Sequence, residues 1–193
     1  MNYSIIIPSH DMTLANQAKN CINEFPVTIF KGDNYLSYAK LINDCIMIAN
    51  EEIVIIMNHK IRASFLDINK MLYLINKGYG LVCMRNFYFY GFKKDLIRKV
   101  GFFDERFIGS WYEDTFFGAK LVSLGLKVVP IKHVTAYHLT RNKRNINQSK
   151  KKMIEINRKL YFNLIKEHLE TTNKNKFINN IKKKYESIIT QIS

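Results

Sequence analysis

Three apolar runs near the start of the chain alternate with two segments of helical spacing, and this alternation most constrains the fold. The runs cover residues 4–8, 27–30 and 52–57, and the helical segments cover 14–25 and 36–49. Parallel strands need a crossover connection, usually a helix, so this order predicts βαβ units. The sequence therefore predicts an α/β fold whose mainly parallel, twisted sheet is covered by helices on both faces.

The middle of the chain predicts further elements of the same two kinds. Apolar periodicity and turn residues indicate helices over 65–77, 95–100 and 115–124, and strands over 80–84, 87–90 and 127–130. These elements extend the sheet and add helices to it. We find no internal repeat, so one compact domain is expected.

The end of the chain differs in composition from the rest. From residue 147 glycine is absent, and apolar residues at helical spacing predict an amphipathic helix on the body, with a second helix at 176–189. Residues 140–193 carry 14 Lys and Arg against 4 Asp and Glu, whereas residues 1–139 carry 16 against 12. We therefore expect a domain over 1–145 and a basic helical extension packed on it over 146–193.

The formal net charge of +14 leaves the partner of this extension open. A basic segment can bind nucleic acid by neutralising phosphates, or it can hold a protein at an anionic membrane surface. A composition rich in Lys, Asn and Ile is also typical of AT-rich genomes, including those of large DNA viruses and phages. All three explanations remain open at this point.

The sequence gives few signs of export from the cytoplasm. No apolar run approaches the roughly 20 residues that span a bilayer, and no signal-peptide pattern begins the chain. Cys21, Cys45 and Cys83 are widely spaced and form no C-x-x-C pair, so we expect free thiols. The expected location is cytoplasmic, with peripheral attachment to a membrane as one option.

Two segments resemble family 2 glycosyltransferases, including rhamnosyltransferase-like members. The first is Ser-Ile-Ile-Ile-Pro-Ser-His-Asp at 4–11, and the second is Gly-Phe-Phe-Asp-Glu-Arg-Phe at 101–107, followed by Trp-Tyr-Glu-Asp at 111–114. The resemblance covers about residues 3–165 and implies a GT-A fold. It also implies inverting transfer of a sugar from a UDP-, GDP- or dTDP-sugar to a hydroxyl of a glycan or lipid-linked acceptor. An alternative acceptor is a hydroxylated base in DNA.

The acidic pair in the second segment suits this chemistry. Inverting transfer needs a base that takes the proton of the acceptor hydroxyl, and by resemblance this base is Asp114. Glu113 would orient the acceptor or raise the pKa of its neighbour by like-charge repulsion. The resemblance places Trp111 and Gly91 on the acceptor side. The helix dipole also favours acids at a helix start, so a structural explanation stays open.

The end of the third strand departs from the family pattern. The family places Asp-x-Asp or Asn-x-Asp there to hold a divalent cation, whereas this chain has Asn58, His59 and Lys60. Lysine cannot ligate Mn²⁺ or Mg²⁺. Either Lys60 itself neutralises the diphosphate, or Asn58 and His59, with His138, hold a weaker metal site. The missing acids also leave open a catalytically degenerate binding module.

The resemblance assigns a further set of residues to the donor nucleotide and its diphosphate. Some follow the first two strands, others lie on the helix after the second strand, and the last lie near the late histidine. The basic residues after that histidine would form a loop that closes over the phosphates. The set comprises Pro8, Ser9, His10, Asp33, Lys40, Asn43, His138 and Arg141.

Overall fold

The computed structural model describes residues 2–32, 35–84, 86–131, 134–139 and 147–171. The strands of this part are β1 (Tyr3–Ser9), β2 (Val27–Lys31), β3 (Ile53–Met57), β4 (Ile61–Arg62), β5 (Leu81–Met84), β6 (Phe89–Lys93), β7 (Val128–Pro130) and β8 (Tyr137–His138). The helices are α1 (Met12–Asn20), α2 (Tyr38–Ile48), α3 (Phe65–Asn76), α4 (Asp95–Val100), α5 (Glu113–Ser123) and α6 (Gln148–Thr171).

Six strands form the main sheet in the order β2-β1-β3-β6-β5-β7, and β4 pairs with β8 in a separate ribbon. β1 is parallel to β2 and β3, and β5 is parallel to β7, which confirms the mainly parallel sheet. β6 runs antiparallel to both of its neighbours. Because only residues 85–88 separate β5 from β6, the connection is too short for a parallel crossover.

The strand predicted at 87–90 is displaced in the structure. A 3-10 turn occupies Asn86–Tyr88, and the strand begins at Phe89. The turn reverses the chain between β5 and β6. The sequence pattern located the aromatic run but did not reveal that its first half makes this turn.

Helices cover both faces of the sheet, as the sequence predicts. Ile5 and Ile7 of β1 pack with α1 and α3, whereas Ile6 between them packs with α2, α4 and α5. This alternation follows from the two-residue period of a strand. The central strand β3 is buried along its whole length, as a strand covered on both faces must be.

α6 lies against α5 rather than on the sheet. Tyr161 and Leu164 of α6 form a small apolar cluster with Phe107 and Phe116. The second helix predicted at 176–189 lies outside the described residues, and the domain boundary at 145 stays a prediction. In the part of the chain that is described, no helix combines the length and apolar character needed to cross a membrane.

Gly91 packs a helix onto the sheet, which corrects the acceptor contact predicted for it. A Cβ at this position would lie 2.8 Å from the Met71 sulfur and 3.0 Å from carbon atoms of Ile55 and Ile75. Met71 and Ile75 belong to α3. The missing side chain therefore lets α3 approach β6, and Gly91 lies in the sheet interior.

We expect Gly91→Ala to lower the free energy of unfolding by about 1–3 kcal/mol, because the added methyl group overpacks this contact. Urea unfolding at constant pH measures the change. Gly118→Ala is a matched control, since its Cβ would meet only Phe87 ring atoms at 3.7 Å and alanine favours a helix. Equal stability of the Gly91→Ala protein and the unsubstituted chain would contradict this account.

Candidate active site

A cavity of about 560 Å³ opens at the carboxyl ends of β1 and β3 and reaches the first turn of α5. Ligands of open α/β sheets bind at this edge. Most of the residues predicted for the site line this cavity: Pro8, Ser9, His10, Asn58, His59, Lys60, Trp111, Glu113, Asp114 and His138.

Glu113 is a buried carboxyl in the wall of this cavity. Glu113 is only 5% exposed, and its Oε2 has no hydrogen-bond partner among the described residues. Burial, and then the charge of Asp114, raise the pKa of Glu113 to about 8. At neutral pH this carboxyl therefore carries a proton. The structure places the raised pKa on Glu113, whereas the sequence argument placed it on the neighbouring residue.

Asp114 lies beside it, half-buried, in the first turn of α5. Its Oδ1 accepts hydrogen bonds from the Thr115 amide at 2.6 Å and from the Thr115 hydroxyl at 3.2 Å. Within the described residues no hydrogen bond reaches Oδ2. Asp114 thus has one oxygen fixed by its own helix and one oxygen available to a ligand.

His59 is held at the end of β3 by β1. Its Nδ1 lies 2.8 Å from the Ser9 hydroxyl, which donates its own proton to the Asp11 carbonyl at 2.7 Å. The Ser9 hydroxyl therefore accepts from Nδ1, and the ring also hydrogen bonds to the main chain of Pro8. Burial, followed by repulsion from His10 and Lys60, lowers the pKa of His59 to about 4, so the ring is neutral near pH 7.

Asn58 and His138 are tied to the same edge. The Asn58 side-chain oxygen accepts from the Lys60 amide at 2.9 Å, and the hydroxyl of Tyr38 also hydrogen bonds to Asn58. The ring of His138 lies 4.7 Å from that of Tyr88, and β8 brings it there by pairing with β4. These contacts fix the end of the cavity that β1 and β3 form.

Lys40 and Asn43 do not line the cavity, which corrects their predicted donor contacts. Lys40 is exposed and its Nζ pairs with Asp44 Oδ1 at 3.2 Å. Asn43 is buried, donates to the Phe103 carbonyl at 2.9 Å and accepts from the Phe103 amide at 3.0 Å. The Asn43 amide therefore anchors the 101–107 segment to α2. Asp33 and Arg141 lie outside the described residues.

The aromatic wall of the cavity was missed in the sequence analysis. The aromatic run at 87–90 was assigned only to a strand, and Tyr38 only to a helix. In the structure these rings line the cavity together with the polar groups. The missed lining residues include Tyr38, Phe87, Tyr88, Tyr90 and Tyr112.

No protein-family model matches the chain, and the search of curated proteins finds no match. Solved structures do match it. The catalytic domain of Drosophila β1,4-galactosyltransferase 7, solved with xylobiose, superposes with a TM-score of 0.60 at 14% identity over 79% of each chain. The chain has the GT-A glycosyltransferase fold.

Two further GT-A structures show the same likeness. A mannosyltransferase from Pyrobaculum calidifontis, in complex with GDP-Man and Mn²⁺, matches with a TM-score of 0.60 at 14% identity, over 74% of this chain and 58% of that one. TarS 1-349 of S. aureus, in complex with UDP-GlcNAc, matches with a TM-score of 0.57 at 10% identity, over 92% and 75%. Identities this low establish the fold and leave the activity to be argued from the site.

Among the described residues, those that follow β3 do not fit a divalent cation. Mg²⁺ and Mn²⁺ favour carboxylate and carbonyl oxygens, but β3 is followed by Asn58, His59 and Lys60. Asn58 offers one amide oxygen, which also accepts from the Lys60 amide, and the Lys60 side chain brings a positive charge that repels a cation. Across the described residues no group of three His, Cys, Asp or Glu side chains could hold a metal ion.

Glu113 should make stability depend on pH in a defined window. Its pKa is raised from 4.5 to about 8, so between these values the folded state keeps a proton that the unfolded state releases. Stability from this group therefore falls as pH rises, at no more than about 1.4 kcal/mol per pH unit. His59 acts in the opposite direction only below its usual pKa of 6.5.

We therefore expect Glu113→Gln to flatten the fall in unfolding free energy between about pH 6.5 and 8. Urea unfolding of both proteins across this range measures the slopes. Glu24→Gln is the control, because Glu24 is exposed and lies outside the cavity lining. Parallel slopes for the Glu113→Gln and unsubstituted proteins would show that Glu113 is ionised in the folded state.

Proposed function

We propose that this protein is an inverting glycosyltransferase that moves a sugar from a nucleotide-diphospho-sugar to a hydroxyl acceptor. One observation carries the proposal: in a GT-A fold, the Glu113–Asp114 pair and the Lys60 region line one cavity. A base and a phosphate-binding cation in the same cavity are the two groups that such a transfer needs. Solved structures of the same fold contain UDP-GlcNAc, GDP-Man or xylobiose.

Asp114 is the base in this proposal. Burial keeps Glu113 protonated near neutral pH, which leaves the carboxyl of Asp114 as the member of the pair that can act as base. Its Oδ2 takes the proton of the acceptor hydroxyl as the oxygen attacks the anomeric carbon. Glu113 keeps its proton and can donate a hydrogen bond to the acceptor.

The donor lies at the ends of β1 and β3. Pro8, Ser9 and His10 border the nucleoside, and Lys60 neutralises the diphosphate that leaves. His59 is neutral, so it adds no charge beside Lys60. No step in this scheme passes through a metal ion.

The acceptor is a sugar hydroxyl on a glycan or lipid-linked chain. Trp111 and Tyr88 line the cavity together with Asp114, and aromatic faces stack well on the apolar faces of sugar rings. This places a sugar next to the base. An acceptor in DNA would need the bases to reach the same cavity.

Asp114→Asn should lower kcat by about 10²–10⁴-fold, because the amide cannot accept the acceptor proton. Donor affinity should stay unchanged, since the donor lies at the other end of the cavity. Nucleotide release measures turnover, and calorimetric titration of the donor measures affinity. Asp95→Asn is a matched control in the first turn of α4, outside the cavity. Full turnover by Asp114→Asn would show that the base is another group.

Lys60→Met should lower kcat by about 10²-fold or more, because the leaving diphosphate loses its fixed charge. The reaction of the unsubstituted chain should persist in EDTA. Lys40→Met is the control, because Lys40 pairs with Asp44 outside the cavity. Turnover that EDTA abolishes and Mn²⁺ restores would contradict the assignment of this role to Lys60.

A non-catalytic binding module is the second candidate, favoured by the absence of acids after β3. A screen of UDP-, GDP- and dTDP-sugars against the unsubstituted chain separates the two. Release of nucleotide from any donor supports the transferase. Donor binding without release, with or without Mn²⁺ and across glycan acceptors, supports the binding module.

A further inference from the structure

One fully buried polar residue, Asn157, lies on the face of α6 that packs against the body. Asn157 is 0% exposed, and Tyr161 and Leu164 on the same face are buried and apolar. A buried amide destabilises a protein unless its hydrogen bonds are satisfied. The partners of Asn157 therefore show why an amide occupies this position.

Asn157 binds the main chain of the loop that precedes α5. Its Oδ1 accepts from the Ile108 amide at 3.0 Å, and its Nδ2 donates to the Ile108 carbonyl at 2.8 Å. Nδ2 also lies 3.2 Å from the Trp111 carbonyl and 3.5 Å from that of Ser110. Both ends of the amide are thus used by a single loop.

That loop has a conformation that few side chains adopt. Trp111 has φ 88° and Tyr112 has φ 72°, both in the left-handed region, and Gly109 has φ 66°. Bulky residues with positive φ persist only where their surroundings hold them there. Tyr112 is also the N-cap of α5 and has no side-chain capping bond, so this backbone alone sets the direction of the first turn.

α2 holds the same loop from the other side. The Gly109 amide donates to the Leu36 carbonyl at 2.7 Å, and the Tyr38 amide donates to the Gly109 carbonyl at 2.6 Å. A Cβ on Gly109 would lie 2.6 Å from the sulfur of Met153 in α6. The loop is therefore clamped between the start of α2 and the inner face of α6.

We propose that Asn157 is a positioning residue for the acceptor side of the cavity. By fixing the backbone of Ile108 and Trp111, Asn157 sets the direction in which α5 begins. The orientation of Glu113 and Asp114 in the first turn of α5 follows from that direction. α6 is then a working part of the site, and it also contributes Ile154 to the cavity wall. The catalytic part of this inference rests on the proposed transferase function, whereas the geometric part does not.

Trp111 provides a direct probe, because it is the one tryptophan in the sequence. Asn157→Ala should shift Trp111 fluorescence to longer wavelength and increase its quenching by acrylamide. Asn157→Ser, whose shorter hydroxyl can still make one hydrogen bond to the loop, should give a smaller change and serves if the alanine variant does not fold. Loss of the Asn157 hydrogen bonds to Ile108 and Trp111 is the expected cause.

Two control variants separate positioning from general destabilisation. Leu164→Ala removes a buried α6 side chain that packs with Phe107 and Phe116, so it should lower the melting temperature without changing Trp111 quenching. Asn163→Ala removes an exposed asparagine of the same helix and should change neither. An unchanged Trp111 signal in both Asn157 variants, or an equal change in Leu164→Ala, would overturn the proposal.

The kinetic measurement tests the same residue through catalysis. Asn157→Ala should lower kcat by about 100-fold, as expected for a small displacement of a catalytic group, and leave donor affinity unchanged. Weaker donor binding with unchanged kcat would overturn the positioning role. If the unsubstituted chain transfers sugar from no donor, the proposed function fails, and the fluorescence comparison still decides the role of Asn157.

Discussion

The buried central strand β3 is the constraint on which the part of the site at the ends of β1 and β3 depends. All five of its residues have no exposed surface, so the strand must lie in the middle of the sheet. It runs parallel to β1, and the carboxyl ends of both strands therefore meet at one edge. The hydrogen bond between Ser9 and His59 is a direct product of that strand order.

The part of the site around Glu113 and Asp114 depends on helices and a loop instead of the sheet. The segment from Gly101 to the start of α5 is fastened to α2 by Asn43 and to α6 by Asn157. Both anchors are buried amides that bind main-chain groups, so they fix backbone rather than side chains. The acidic pair is therefore held through main-chain contacts to two helices, whereas the residues after β1 and β3 are held by the sheet.

The sequence predicted the β1 and β3 ends of the site because buried strands leave a strong apolar pattern. It could not predict the direction of β6, since apolar periodicity is the same for parallel and antiparallel strands. The spacing of Lys40 and Asn43 matched a family pattern but did not show which helix face each residue occupies. Asn157 was missed because it is a polar residue on the otherwise apolar face of α6. Its role becomes visible only when the structure shows the loop that it contacts.

The protonation states at the two ends of the cavity are set by local burial and by neighbouring charges. Burial keeps Glu113 protonated, and burial together with Lys60 keeps His59 neutral. The cavity thus has Lys60 at the end formed by β1 and β3 and the acidic pair at the end formed by α5. Carboxylates after β3 would attract a metal ion but would also repel an unaccompanied diphosphate. A lysine needs no bound metal ion, so in the proposed transfer its positive charge is present before the donor binds.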